Sequence, residues 1–124
     1  IETIRPAQIV LPARRDGSTE HEGAFTVLLA AARSAQVRAQ LLEYPVWAWW
    51  SPARLWQPLL GARRVWRVDL RGYEGVKRLA LGAHESQMQP TPPWTQPVLP
   101  RGFPEAFCGP EEYLFEMRDT CAAS

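Results

Sequence analysis

Six of the chain's twelve prolines fall between Gln89 and Pro104. That density excludes a helix there, because each ring removes a backbone donor and clashes with the turn before it. The segment 89–104 is expected to be an extended, semi-rigid arm. Most of any sheet, and the helices that cover it, must then come from the residues before it.

Those residues alternate between strand and helix patterns. Ile9-Val10-Leu11, bracketed by Pro6 and Pro12, reads as a short buried strand. A polar run follows, in which Thr19 and Glu22 have the spacing of a capping box, with Ser18 and His21 as the competing register. Ala24, Val27, Leu28, Ala31, Ala32 and Ala35 then recur at helical spacing, so a helix is expected over about 20–36. Residues 41–50, from Leu41 to Trp50, are aromatic enough for a strand, which Pro45 marks as an edge or an ending. Arg64 to Leu70 alternates as a half-buried strand does, and Arg71-Gly72 breaks it before a second helix whose inner side is Tyr73, Val76, Ala80, Ala83 and Gln87. Lys77, Leu81, His84 and Met88 form the neighbouring stripe. Pro104 to Met117 reads as a closing helix docked through Phe107, Leu114 and Phe115, and Thr120 to Ser124 as a fraying end. This order predicts an α/β layered domain with a mixed sheet.

At 124 residues the chain fits one domain. Fourteen basic and thirteen acidic residues, with no like-charge run longer than Arg14-Arg15 or Arg63-Arg64, give no footprint for nucleic acid. The apolar run Val27 to Ala32 is too short for a membrane span, and Ile1-Glu2-Thr3-Ile4 is no signal segment. Cys108 and Cys121 are read as reduced thiols. A cytoplasmic location follows as the expectation. Because the chain opens at Ile1, without Met and inside a patterned segment, it is expected to be a portion of a longer protein.

The two histidines are the first candidates for chemistry. His21 comes just after a strand, where ligands of α/β sheets usually sit. It could ligate a metal through a neutral nitrogen, with Asp16, Glu20 or Glu22 as ligand or supporting partner; the simpler reading is a helix-start histidine paired with a carboxylate. Asp16, Ser18 and Glu20 alternate like the start of a calcium loop, but His21 and Val27 occupy the positions that need Gly and Glu. Zinc-finger, serine-hydrolase and nucleotide-binding motifs are missing. The six tryptophans could stack on sugar rings, but core packing is the expected role.

Taken in order, these segments resemble the LmbE/PIG-L family of zinc-dependent N-deacetylases. The resemblance rests on Arg5-Pro6, the strand Ile9-Val10-Leu11, Asp16-Gly17-Ser18-Thr19-Glu20-His21, Tyr44-Pro45-Val46-Trp47, Lys77, Ala80-Leu81, Ala83-His84-Glu85-Ser86-Gln87, and Pro110 to Phe115. It covers nearly the whole chain. It implies a Rossmann-like layered sheet, here as the C-terminal half of the domain, and zinc-assisted hydrolysis of the acetyl amide of an N-acetylglucosamine-type substrate. His21 matches the family's zinc ligand. Ser18 stands where the family has its acid histidine, Glu20 where it has Asp, and the family's His-Pro-Asp-Asp segment has no counterpart.

The resemblance therefore implies an N-terminal half of the same domain, or a second chain, as partner. In that assembly Asp16, Ser18 and His84 are the catalytic candidates, with His84 stabilising the oxyanion or protonating the amine in place of the missing acid. The plain alternative for His84 is a helix-end cation that suits the helix dipole. The alternative for the whole chain is a non-catalytic carbohydrate-binding or assembly module on the same scaffold.

Overall fold

The computed structural model describes residues 1–118, so the fraying expected over Thr120 to Ser124 and the state of Cys121 lie outside the described residues. The fold is mixed α/β. Its elements are β1 (Gln8–Pro12), α1 (Thr19–Ser34), β2 (Gln40–Tyr44), α2 (Trp47–Trp50), α3 (Pro52–Gly61), β3 (Ala62–Asp69), α4 (Glu74–Gly82), α5 (Glu85–Met88), α6 (Phe103–Phe107) and β4 (Glu111–Met117). The strands form one sheet in the order β1-β2-β4-β3. β1 runs parallel to β2, with Leu11 opposite Glu43 and Pro12 opposite Tyr44. β2 runs antiparallel to β4, with Leu42 opposite Glu116. The mixed sheet expected from the element order is present. Among the described residues no helix is long and apolar enough to cross a membrane.

Two compact units divide the chain: Ile1–Arg67 together with the strand residues from Tyr113 onward, and Val68–Glu112. In the first, Leu11, Phe25, Val37, Ala39, Leu41 and Met117 make the core, with Ile9, Leu28, Leu29 and Ala35 against it. The α1 face is rotated from the one expected. Phe25, Leu28, Leu29 and Ala32 turn inward while Val27 and Ala31 are exposed, because one bulky ring and two leucines bury more apolar area than a row of alanines.

Three other expectations are corrected. The strand foreseen over 41–50 stops at Tyr44, and Trp47–Trp50 coils into a helical turn. Pro45 cannot donate to the ladder, and the amides after it are capped by a distant carboxylate. The closing helix is broken in two: Gly109-Pro110 stops α6, and Glu111–Met117 becomes a strand. The short helix α3 was not foreseen, although Ser51-Pro52 has the helix-start pattern of a proline in the first turn.

The tryptophans also depart from expectation. None of the six is buried, and Trp49 stacks on Tyr113 with centroids 5.6 Å apart.

In the second unit, α4 ends at Gly82, earlier than its pattern suggested. The side expected to face inward is exposed at Tyr73, Val76, Ala80 and Ala83, as is Gln87, whereas Lys77, Leu81 and Met88 of the neighbouring stripe are half-buried. Lys77 explains the rotation: its ammonium pairs with Glu112 and lies 5.9 Å from the centre of the Phe107 ring, which stacks on Phe103. The arm expected over 89–104 has no regular element from Gln89 to Gly102, but its last two residues, Phe103 and Pro104, open α6, where a proline in the first turn is tolerated. Leu99 is buried there and its N–H donates to the Gln87 carbonyl at 3.0 Å.

Candidate functional site

The loop that leaves β1 carries Asp16 into the protein. Its carboxylate is fully buried, and burial of a charge is tolerated only where donors replace the lost water. Four do so. The N–H groups of Val46 and Ala48 donate to Oδ1 at 2.8 and 3.0 Å, and that of Trp47 donates to Oδ2 at 3.1 Å. His21 Nδ1 lies 2.5 Å from Oδ2. The three amides surround the start of α2, where a helical turn leaves its donors unsatisfied. One carboxylate thus caps the turn after β2 and fixes the ring in the first turn of α1.

That contact sets the chemistry of His21. An ionised carboxylate only accepts, so the proton of the contact sits on Nδ1, and in the neutral ring Nε2 is then the nitrogen with the lone pair. A carboxylate behind an imidazole in this way fixes the orientation of the ring, as it does for histidines that ligate metals. The ring is partly exposed, at 30 % for the side chain.

Ser18 is the N-cap of α1, so the Ser18/His21 register prevails over Thr19/Glu22. Its Oγ accepts the His21 N–H at 3.4 Å and donates to Glu20 at 2.7 Å. The Ser18 hydroxyl, helped by the Glu20 backbone amide and Thr19, holds the Glu20 carboxyl below its ordinary value. Glu22 reaches back to accept the Gly17 N–H at 3.1 Å.

Two further contacts shape the loop. Gly17 sits at φ +89°, and the Arg54 guanidinium from α3 occupies the place a side chain at 17 would need. Arg14 donates to Glu43 on β2 through its backbone N–H at 2.9 Å and through Nε and Nη2 at 3.0 and 2.8 Å. Sequence reasoning found Asp16 and His21 but missed Arg54 and the amides of Val46–Ala48. The one available signal for those amides was Pro45, which ends β2 and leaves the next backbone donors without a ladder.

The structure therefore brings Asp16, Ser18 and His21 together. His84 lies in the second unit, exposed, between α4 and α5. It is not in the last turn of a long helix, since α4 closes at Gly82. Among the described residues no group of three or more His, Cys, Asp or Glu is placed to hold a metal ion. His21 with Asp16 behind it thus fits one ligand position, whereas a catalytic zinc takes three from protein. No family model, no curated protein and no solved structure matches the chain.

Proposed function

We propose that this chain supplies one side of a zinc-dependent amide-hydrolase site that removes the acetyl group from an N-acetylglucosamine-type substrate. The observation that carries this reading is the Asp16–His21 pair: a fully buried carboxylate, held by three amides, engages Nδ1 of the imidazole, which leaves Nε2 as the nitrogen proposed to ligate. The ordered resemblance to the LmbE/PIG-L deacetylases supports it. On this reading the sheet belongs to a Rossmann-like domain, and the remaining ligands come from an N-terminal half of that domain or from a second chain. Zinc held there supplies Lewis acidity, which polarises an amide carbonyl and makes water acidic enough to ionise near neutral pH.

The chain's own residues have distinct tasks. His21 ligates through Nε2. Asp16 is a positioning residue rather than a proton acceptor, because its oxygens are occupied by the three amides and Nδ1. Ser18 is occupied as an N-cap and gives no acid. His84, which belongs to the second unit, is a candidate for protonating the leaving amine or stabilising the oxyanion on the resemblance alone.

The test is zinc content and deacetylation of an N-acetylglucosamine conjugate by the protein as its cell makes it, with His21→Ala in parallel. Stoichiometric zinc and turnover, both lost in the variant, are expected. The use of Ser18 as a cap favours one rival, a non-catalytic carbohydrate-binding or assembly module. Metal-free protein that binds amino sugars without cleaving them would establish that module instead.

A further inference from the structure

Helix α3 turns its apolar side the wrong way for a core helix. At roughly 100° per residue, Trp56 and Leu60 lie on the side opposite Pro58, which is among the most completely buried side chains. Trp56 is 62 % and Leu60 72 % exposed, with Leu59 beside them and Trp50 at the end of α2 also open to solvent. Burying Trp56 and Leu60 would be favourable, yet no described residue of the first unit covers them.

Charge identifies what does. From Tyr44 to Val68 the chain carries five tryptophans, four arginines (Arg54, Arg63, Arg64 and Arg67) and no Asp or Glu. Arg63 and Arg64 are the second and third residues of β3, which follows α3, and both are exposed. Among the described residues Arg63 approaches the buried Glu116 at 3.7 Å, and Arg64 stands over the Trp66 ring, 5.2 Å from its centre. A short helix with Trp and Leu outward and exposed arginines just past its C-terminal end has the composition that lies in a lipid headgroup layer, where indoles favour the interface and guanidinium groups meet phosphates.

We propose that α3 docks the protein on an anionic membrane surface, with Trp56, Leu59 and Leu60 inserted among the headgroups and Arg63 and Arg64 on lipid phosphates. The helix lies in the plane of the surface and spans nothing. Attachment by one ten-residue helix is reversible and weakens with salt.

Flotation with vesicles of equimolar phosphatidylcholine and phosphatidylglycerol tests this, beside vesicles of phosphatidylcholine alone. The protein should float with the anionic vesicles and stay in solution with the neutral ones. Arg63→Ser with Arg64→Ser should lower partitioning about 30-fold, from about 1 kcal/mol per arginine at such a surface. Trp56→Ala with Leu60→Glu should abolish flotation while leaving the thermal melt unchanged, since both side chains are exposed. Failure to float, equal flotation on neutral vesicles, or undiminished flotation of either double variant would overturn the proposal. So would a dimer in sedimentation velocity that Trp56→Ala with Leu60→Glu dissociates in a protein that does not float, because the face would then bind a second copy.

Discussion

Asp16 Oδ2 lies 2.5 Å from His21 Nδ1 and also accepts the Trp47 N–H at 3.1 Å. A substitution at 16 therefore acts on the helical turn and on the imidazole at once. In Asp16→Asn, the amide oxygen can keep the Val46 and Ala48 donors, but an NH2 group then faces both the Trp47 N–H and Nδ1. The ring is driven to the tautomer with its proton on Nε2. If the ring holds zinc as proposed, the affinity should fall about 10- to 100-fold, the usual effect of removing a ligand's supporting partner. Asp16→Ala should cost in addition about 3 kcal/mol of stability in denaturant melts, because the turn's donors are left buried without an acceptor.

Gly17 should not tolerate a side chain. Its φ of +89° costs an L-residue about 1–2 kcal/mol, and the added Cβ would have to expel the Arg54 guanidinium. Gly17→Ala is expected to lower stability by at least that amount in chemical denaturation. A melt indistinguishable from wild type would show that the loop relaxes freely.

The Arg14–Glu43 pair should respond unequally to loss of its two partners. Glu43 is 2 % exposed, whereas the Arg14 side chain is 38 % exposed and partly screened. Arg14→Ala leaves a buried carboxylate with only a backbone donor and should cost about 2 kcal/mol, discounted from the value for a fully buried pair. Glu43→Gln keeps an acceptor for Arg14 and should cost less. The order of the two denaturation midpoints checks this.

Glu116 gives an acid-side signature. The Trp66 indole N–H donates to its Oε2 at 2.9 Å, and this bond, with Gln40 and the charges of Arg63 and Arg64, holds its carboxyl below the ordinary value of 4.5 against the opposing effect of burial. A carboxyl depressed in the folded state stabilises the fold above its unfolded pKa, and that stabilisation is lost as pH falls through the folded one. Trp66→Phe should thus be less stable than wild type at neutral pH. The gap should narrow below pH 4.5 in stability measured against pH.

His84 should be tested with metal content held fixed. If it acts on the leaving amine, His84→Gln lowers kcat with zinc stoichiometry unchanged and alters the pH profile of turnover. An unaltered kcat would remove it from the mechanism.

Local pattern made β1, α1 and β3 from Arg64 onward readable, because each is specified by residues that are neighbours in the chain. The same cues located Asp16 and His21. What escaped reading was fixed from far away. Trp47–Trp50 has strand propensity, and a carboxylate thirty positions earlier makes it helical. Glu111–Met117 could lie on a helix by its apolar spacing; its pairing of Glu116 with Leu42 makes it a strand. The solvent-facing sides of α3 and α4 escaped for a related reason, since periodicity identifies an apolar face without saying what that face meets.

Since β1 and β2 pair in parallel with Pro12 opposite Tyr44, the loop bearing Asp16 and the turn bearing Val46 depart from the same end of adjacent strands, and their meeting depends on that alignment. A slip of one residue between the two strands would carry the anion away from its amides and leave the histidine unaimed. The sheet's register thus doubles as the sighting mechanism of the imidazole, and a variant that shifts it would undo the Asp16–His21 contact without substituting either residue.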